Sequence, residues 1–105
     1  MRGIIWGANR PNCGKRFDKL IKDYKTFWNV EVEQIKTLKD RLYVKFNNED
    51  IWYGYVANKS NTLGRRANVC LIDTTIDDDL IEYIRCTIAN QPPYAAIGYY
   101  KGESE

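Results

Sequence analysis

Histidine is absent from the 105 residues. The commonest general base is therefore missing, which excludes nucleophile mechanisms built on Ser-His or Cys-His pairs. The three cysteines, Cys13, Cys70 and Cys86, form no Cys-x-x-Cys pair. An odd set of thiols without histidine suggests neither a disulfide framework nor a zinc site, and reduced thiols in a cytoplasm are the expectation. No apolar run approaches the length that crosses a bilayer and no secretion signal opens the chain, so no membrane partner is expected. Strong charge is lacking too. Sixteen Lys and Arg against fourteen Asp and Glu leave +2, too little by itself to argue for nucleic-acid binding. There is no internal repeat and no low-complexity segment.

What is present fits one soluble domain over residues 1–105, with 44% apolar and 29% charged residues and enough chain for a single core. Aromatic residues are plentiful at 13%, with eight Tyr and three Trp. They can fill a small core or make an adhesive surface.

Gly3, Ile4, Ile5 and Trp6 form an apolar run of strand type, and residues 7–14 read as a turn-rich loop. Lys15 opens a helix in which Phe17, Leu20, Ile21, Tyr24, Phe27 and Trp28 recur at spacings of three and four, one buried face. Asn29 ends it. Val30, Val32 and Ile35 alternate with polar residues, as do Leu42, Val44 and Phe46, and the turn 47–50 leads into a strand over 51–56, a hairpin or meander.

The polar stretch 58–68 belongs on the surface. Residues 69–72 are a continuous apolar run, the pattern of a strand buried on both faces, ending at Asp73. Thr75 and Asp77, Asp78 and Asp79 suit the cap and first turn of a second helix, with Leu80, Ile81, Ile84 and Ile88 on its buried face. Pro92 and Pro93 stop that helix, residues 94–100 form a last strand, and residues 101–105 are a frayed tail. The order implies an α/β fold: a single small domain with a mixed sheet, two helices and a right-handed crossover. Ligands of such sheets bind at the carboxyl ends of the strands.

Strand, glycine-bounded loop, Gly-Lys and helix present backbone N–H groups and a lysine to phosphate. An apolar strand ending in a carboxylate, Asp73, can orient a metal beside it. Taken with ANRPNCGKRF, VKFNNEDIWYGYVAN, LGRRANVCLID and PPYAAIGYY, this pattern resembles a reduced P-loop NTPase domain, closest to the ATPase region of phage large-terminase proteins. The resemblance implies a P-loop-like strand-loop-helix at the N-terminus. It makes Gly14 and Lys15 the phosphate-binding pair, Arg10 the loop arginine, Asp73 the metal-orienting carboxylate, and ATP with Mg²⁺ the cofactor. It also implies a phage-type protein in a host cytoplasm.

Two positions depart from the pattern. Arg16 replaces the Ser or Thr that ligates Mg²⁺, and Thr74 stands where the family places the glutamate that activates water. Such groups contribute about 10² to 10⁴ in rate each, so efficient hydrolysis is not expected.

Plainer readings stand beside these: Gly14-Lys15 as a turn before a surface helix, Asp73 as a turn or cap residue, and Asp77 to Asp79 as complements to the helix dipole. Three functions follow. The first is binding of a phosphate-bearing partner, nucleotide or nucleic acid, through Arg10, Gly14 and Lys15 and a basic rim of Arg16, Arg65 and Arg66 joined by Arg2. The second is a regulator or inhibitor docking a host or viral protein through an aromatic hairpin, Trp52, Tyr53 and Tyr55. The third is a nucleotide enzyme whose missing group comes from another subunit. Cys13, in the loop, reads as a reactive thiol, whereas Cys70 and Cys86 read as small buried apolar residues.

Overall fold

Apolar side chains on both faces put the first strand at the centre of the sheet. A computed structural model describes residues 1–58, 60, 66–89 and 96–102. Arg65, Pro92 and Pro93, the first two residues expected in the last strand, and Glu103 to Glu105 lie outside the described residues. The elements are β1 (Arg2–Gly7), α1 (Arg10–Trp28), β2 (Val32–Thr37), β3 (Leu42–Phe46), β4 (Ile51–Val56), β5 (Val69–Asp73), α2 (Asp78–Ala89) and β6 (Ala96–Tyr100). The sheet is mixed, in the order β2-β3-β4-β1-β5-β6. β1 pairs parallel with β4 on one side and β5 on the other, β6 continues parallel beside β5, and β2 and β3 extend the sheet antiparallel beyond β4.

Alternation along the strands divides the core in two. Ile5 faces Cys13, Phe17, Leu20 and Tyr24 of α1 with Val44, Phe46 and Trp52. Ile4 and Trp6 face the other way, against Ile84 and Ile88 of α2 with Tyr55, Cys70 and Ile72. The two helices thus cover opposite faces, and the carboxyl ends of β4, β1, β5 and β6 share one edge. Trp52 is held inward by its Nε1, which donates to the Tyr24 hydroxyl at 2.9 Å, while that hydroxyl donates to Asp50 at 2.8 Å. Burial first, then the Asp50 carboxylate, pushes the Tyr24 hydroxyl up to about 12.

Several expectations change. α1 starts at Arg10, not Lys15, with Asn9 as its cap, so the expected eight-residue loop shrinks to Ala8 and Asn9. Gly14 and Lys15 lie in the second helical turn. Phe27 and Trp28, expected in the core, are 72% and 62% exposed, whereas Trp52 and Tyr55 are buried inside it. Geometry explains the first reversal: nineteen helical residues span about 28 Å at 1.5 Å each, against about 20 Å for a six-residue strand, so the last turn of α1 overhangs the sheet. The aromatic hairpin cannot present Trp52 or Tyr55 to a partner, because β4 is an interior strand packed on both faces. Cys13 is buried in α1 with its thiol pushed up to about 12 by burial, the reverse of a reactive cysteine, and Cys86 is exposed rather than buried. No helix among the described residues is long and apolar enough to cross a membrane.

Candidate functional site

The edge where the parallel strands end holds a buried carboxylate. Asp73, the last residue of β5, has no solvent exposure, yet both its oxygens are satisfied. Oδ2 accepts from the Ala8 backbone N–H and from Asn12 Nδ2, each at 3.0 Å. Oδ1 accepts from the Thr75 N–H at 2.9 Å, the Thr75 hydroxyl at 2.7 Å and the Gly102 N–H at 3.0 Å. Burial alone would raise this carboxyl, but the hydrogen bonds from Ala8, Thr75 and Asn12 outweigh it and hold the group below the ordinary carboxylate range.

Asp73 therefore takes the place an external anion would need. The start of α1 has little left to offer one. The Asn12 N–H donates to Asn9 Oδ1, the Cys13 N–H to the Asn9 carbonyl, and Pro11 has no N–H. Nor is Asp73 free to bind a metal, and the described residues contain no group of three or more His, Cys, Asp or Glu able to hold one.

Beside this carboxylate, on the α1 side, a cleft of about 150 Å³ opens between α1 and the end of β6. Asn12, Lys15, Arg16 and Lys19 form one wall and Tyr100, Lys101 and Gly102 the other. Among the described residues the lining contains four cations and no carboxylate. The Tyr100 hydroxyl donates to the Trp6 carbonyl at 2.8 Å, which fixes the ring as a floor, and burial raises that hydroxyl far above its ordinary value. The Arg16 guanidinium lies 5.8 Å from the centre of the Tyr100 ring. Its Nη1 is buried and has no hydrogen-bond acceptor. A buried charged donor without an acceptor is costly, and the face of the Tyr100 ring offsets part of that cost. Lys19 pairs with Asp23 at 3.5 Å one turn further on.

Of the described residues singled out in the sequence, Lys15 and Arg16 meet in this cleft and the others do not; Arg65 lies outside the described residues. Gly14 sits inside α1, and a side chain there would meet only open space. The Arg10 guanidinium turns away and donates to the carbonyls of Leu38 and Lys39 at 2.9 and 3.4 Å, joining the start of α1 to the β2–β3 turn. Arg2 opens β1, and Arg66 lies just before β5, where the Asn68 N–H donates to the Arg2 carbonyl. Both are at the amino ends of the strands, the opposite edge from Lys15, so they do not form one rim with it.

Lys19 and Lys101 were missed. Lys19 reads as an ordinary polar position of the helix, and Lys101 as part of a frayed tail. Yet Gly102 is buried against Asp73, and a side chain there would collide with that carboxylate and with the Asn12 amide. Compared with protein-family models, with curated proteins and with solved structures, the chain matches none.

Proposed function

We propose that this protein binds a phosphate-bearing partner, nucleotide or nucleic acid, without efficient hydrolysis, and that the cleft between α1 and the end of β6 is the binding site. The carrying observation is the cationic lining of the cleft, Lys15, Arg16, Lys19 and Lys101, with no carboxylate among the described residues. Phosphate oxygens accept from such side chains, and charge-assisted bonds of this kind are the strong ones. The resemblance to a reduced P-loop domain supports the same ligand class but not the same atoms. Here side chains of the second turn of α1 do the work that loop N–H groups do in a P-loop, and Asp73 acts as a structural anion rather than a metal ligand. Chemistry is not assigned to the site, since Arg16 and Thr74 stand where a metal hydroxyl and a general base would be needed. A cytoplasmic setting, that of a host cell if the protein is viral, fits this role.

The test is binding of a labelled oligonucleotide and of Mg-ATP as salt is varied. Affinity is expected to fall steeply with salt, and Arg16→Gln is expected to weaken it at least about tenfold with little change in thermal midpoint. Affinity unaffected by salt or by this substitution would remove the cleft from consideration.

A second reading is favoured by one observation. Phe27 and Trp28 project from the overhanging end of α1, and aromatic side chains of this kind anchor protein interfaces. A regulator or inhibitor docking a host or viral protein would use them in place of the buried hairpin aromatics Trp52 and Tyr55.

A further inference from the structure

The shape and charge of the Arg16 cleft narrow its ligand. We infer that it takes a terminal phosphate monoester, the phosphorylated end of a nucleic-acid strand, rather than a phosphodiester inside a chain. This rests on the cleft being the phosphate site proposed above.

Size is the first constraint. Small-molecule sites generally enclose about 300 to 1,000 Å³. At about 150 Å³ the cleft encloses little more than one phosphate group, so the nucleoside that carries it lies outside. Among the described residues the one aromatic ring in its lining, Tyr100, already carries the Arg16 guanidinium and so is not free for a base to stack on.

Connectivity is the second constraint. The α1 wall and the β6 wall are joined at one end, because Asn12 and Gly102 both donate to Asp73. The cleft is therefore closed at its Asn12 end and open toward Lys19. A phosphodiester within a strand needs two exits, whereas a terminal phosphate needs one.

Charge is the third constraint. A monoester approaches two negative charges at pH 7 and suits a lining of Lys15, Arg16, Lys19 and Lys101 better than a singly charged diester. Outside the open end, Lys22 follows Lys19 by three residues on the same helix face. With Lys19 it lines a second groove, flanked by Asp18 and Asp23. Lys15 to Lys22 covers about 10 Å of helix, placing a further cation where the next backbone phosphates of a bound strand would run.

The chain also supplies an unusually clean readout. The chain has no histidine, so no imidazole faces the cleft. The second ionisation of a phosphate monoester falls near pH 6. A change of affinity across that range reports the ligand's ionisation without an imidazole to compete with it.

The experiment measures fluorescence anisotropy of one short labelled oligothymidylate carrying a 5′-phosphate, a 3′-phosphate or hydroxyls at both ends, at about pH 5 and about pH 7.5. A phosphoserine peptide is measured in parallel. The expected result is at least about tenfold tighter binding of a phosphorylated end than of the hydroxyl form at the higher pH. The preference is expected to shrink at the lower pH and to be lost in both Arg16→Gln and Lys101→Ala. Lys22→Ala is expected to weaken the oligonucleotide while leaving competition by inorganic phosphate unchanged. Equal binding of phosphorylated and hydroxyl ends overturns this inference and leaves the broader phosphate-binding proposal standing. Binding of the phosphoserine peptide as tight as that of the phosphorylated oligonucleotide overturns the nucleic-acid assignment. No binding of any probe overturns both.

Discussion

Asp73 and Arg16 stand on either side of Asn12 and Gly102, one a buried anion and the other a half-buried cation, and their surroundings treat them in opposite ways. The carboxylate receives five hydrogen bonds from four residues. The guanidinium rests on a tyrosine ring and keeps a buried N–H without an acceptor. The difference separates a group that holds the fold together from one that the fold leaves incomplete. A charged residue with every partner in place is accounted for by stability. A charged residue with a missing partner is where the proposal places its ligand. The comparison also explains why the start of α1, the position that first suggests phosphate binding, is a poor candidate: an internal carboxylate already occupies it.

Removing Asp73 is the severest way to break the contrast. Asp73→Ala leaves buried donors on Ala8, Asn12, Thr75 and Gly102 without an acceptor, and is expected to cost about 3 to 5 kcal/mol in urea unfolding. A loss under about 1 kcal/mol would mean that water replaces the carboxylate easily, and the distinction would fail.

The pH dependence follows from the same hydrogen bonds. Because the folded carboxyl is held below its ordinary value, its contribution is fully present above the unfolded value of about 3.9. It is lost as the pH falls through the depressed folded value. Acid unfolding of Asp73→Ala should therefore lack the low-pH decline that this carboxylate gives the wild type.

The smallest effect concerns Gly14. It lies in regular helix with open space around it, so Gly14→Ala is expected to stabilise by about 0.5 to 1 kcal/mol and to leave ligand binding unchanged. A phosphate loop that needed this glycine would lose affinity instead, and that result would restore the loop reading.

Much of the sheet was legible beforehand. The alternation of Leu42, Val44 and Phe46 and the unbroken apolar run before Asp73 predict β3 and β5, whereas the strand order, with β1 parallel beside β5, was not readable. The start of α1 carried a readable signal, Asn9 followed by Pro11, a cap residue and an early-helix proline. The Gly14-Lys15 pair drew attention away from it. Other features were not readable. Periodicity marks Phe27 and Trp28 as apolar positions but says nothing of how far the sheet beneath them extends. Grouping Arg2 and Arg66 with Lys15 ignored strand direction, which puts the first two at one edge and the third at the other. Lys101 and Gly102 follow no pattern at all. Their role depends on Asp73, which is 29 residues from Gly102 in sequence.

That separation bears on folding kinetics. The Asp73 carboxylate gathers Ala8 from 65 residues away, Asn12 from 61 and Gly102 from 29, so the full cluster exists only after β1, β5 and β6 are all in place. Contacts of such high sequence separation are costly to form early, and the prediction is that they are absent from the folding transition state. Asp73 then acts as a latch on the finished molecule. Its loss should appear almost wholly as faster unfolding, with the refolding arm of a denaturant chevron unchanged.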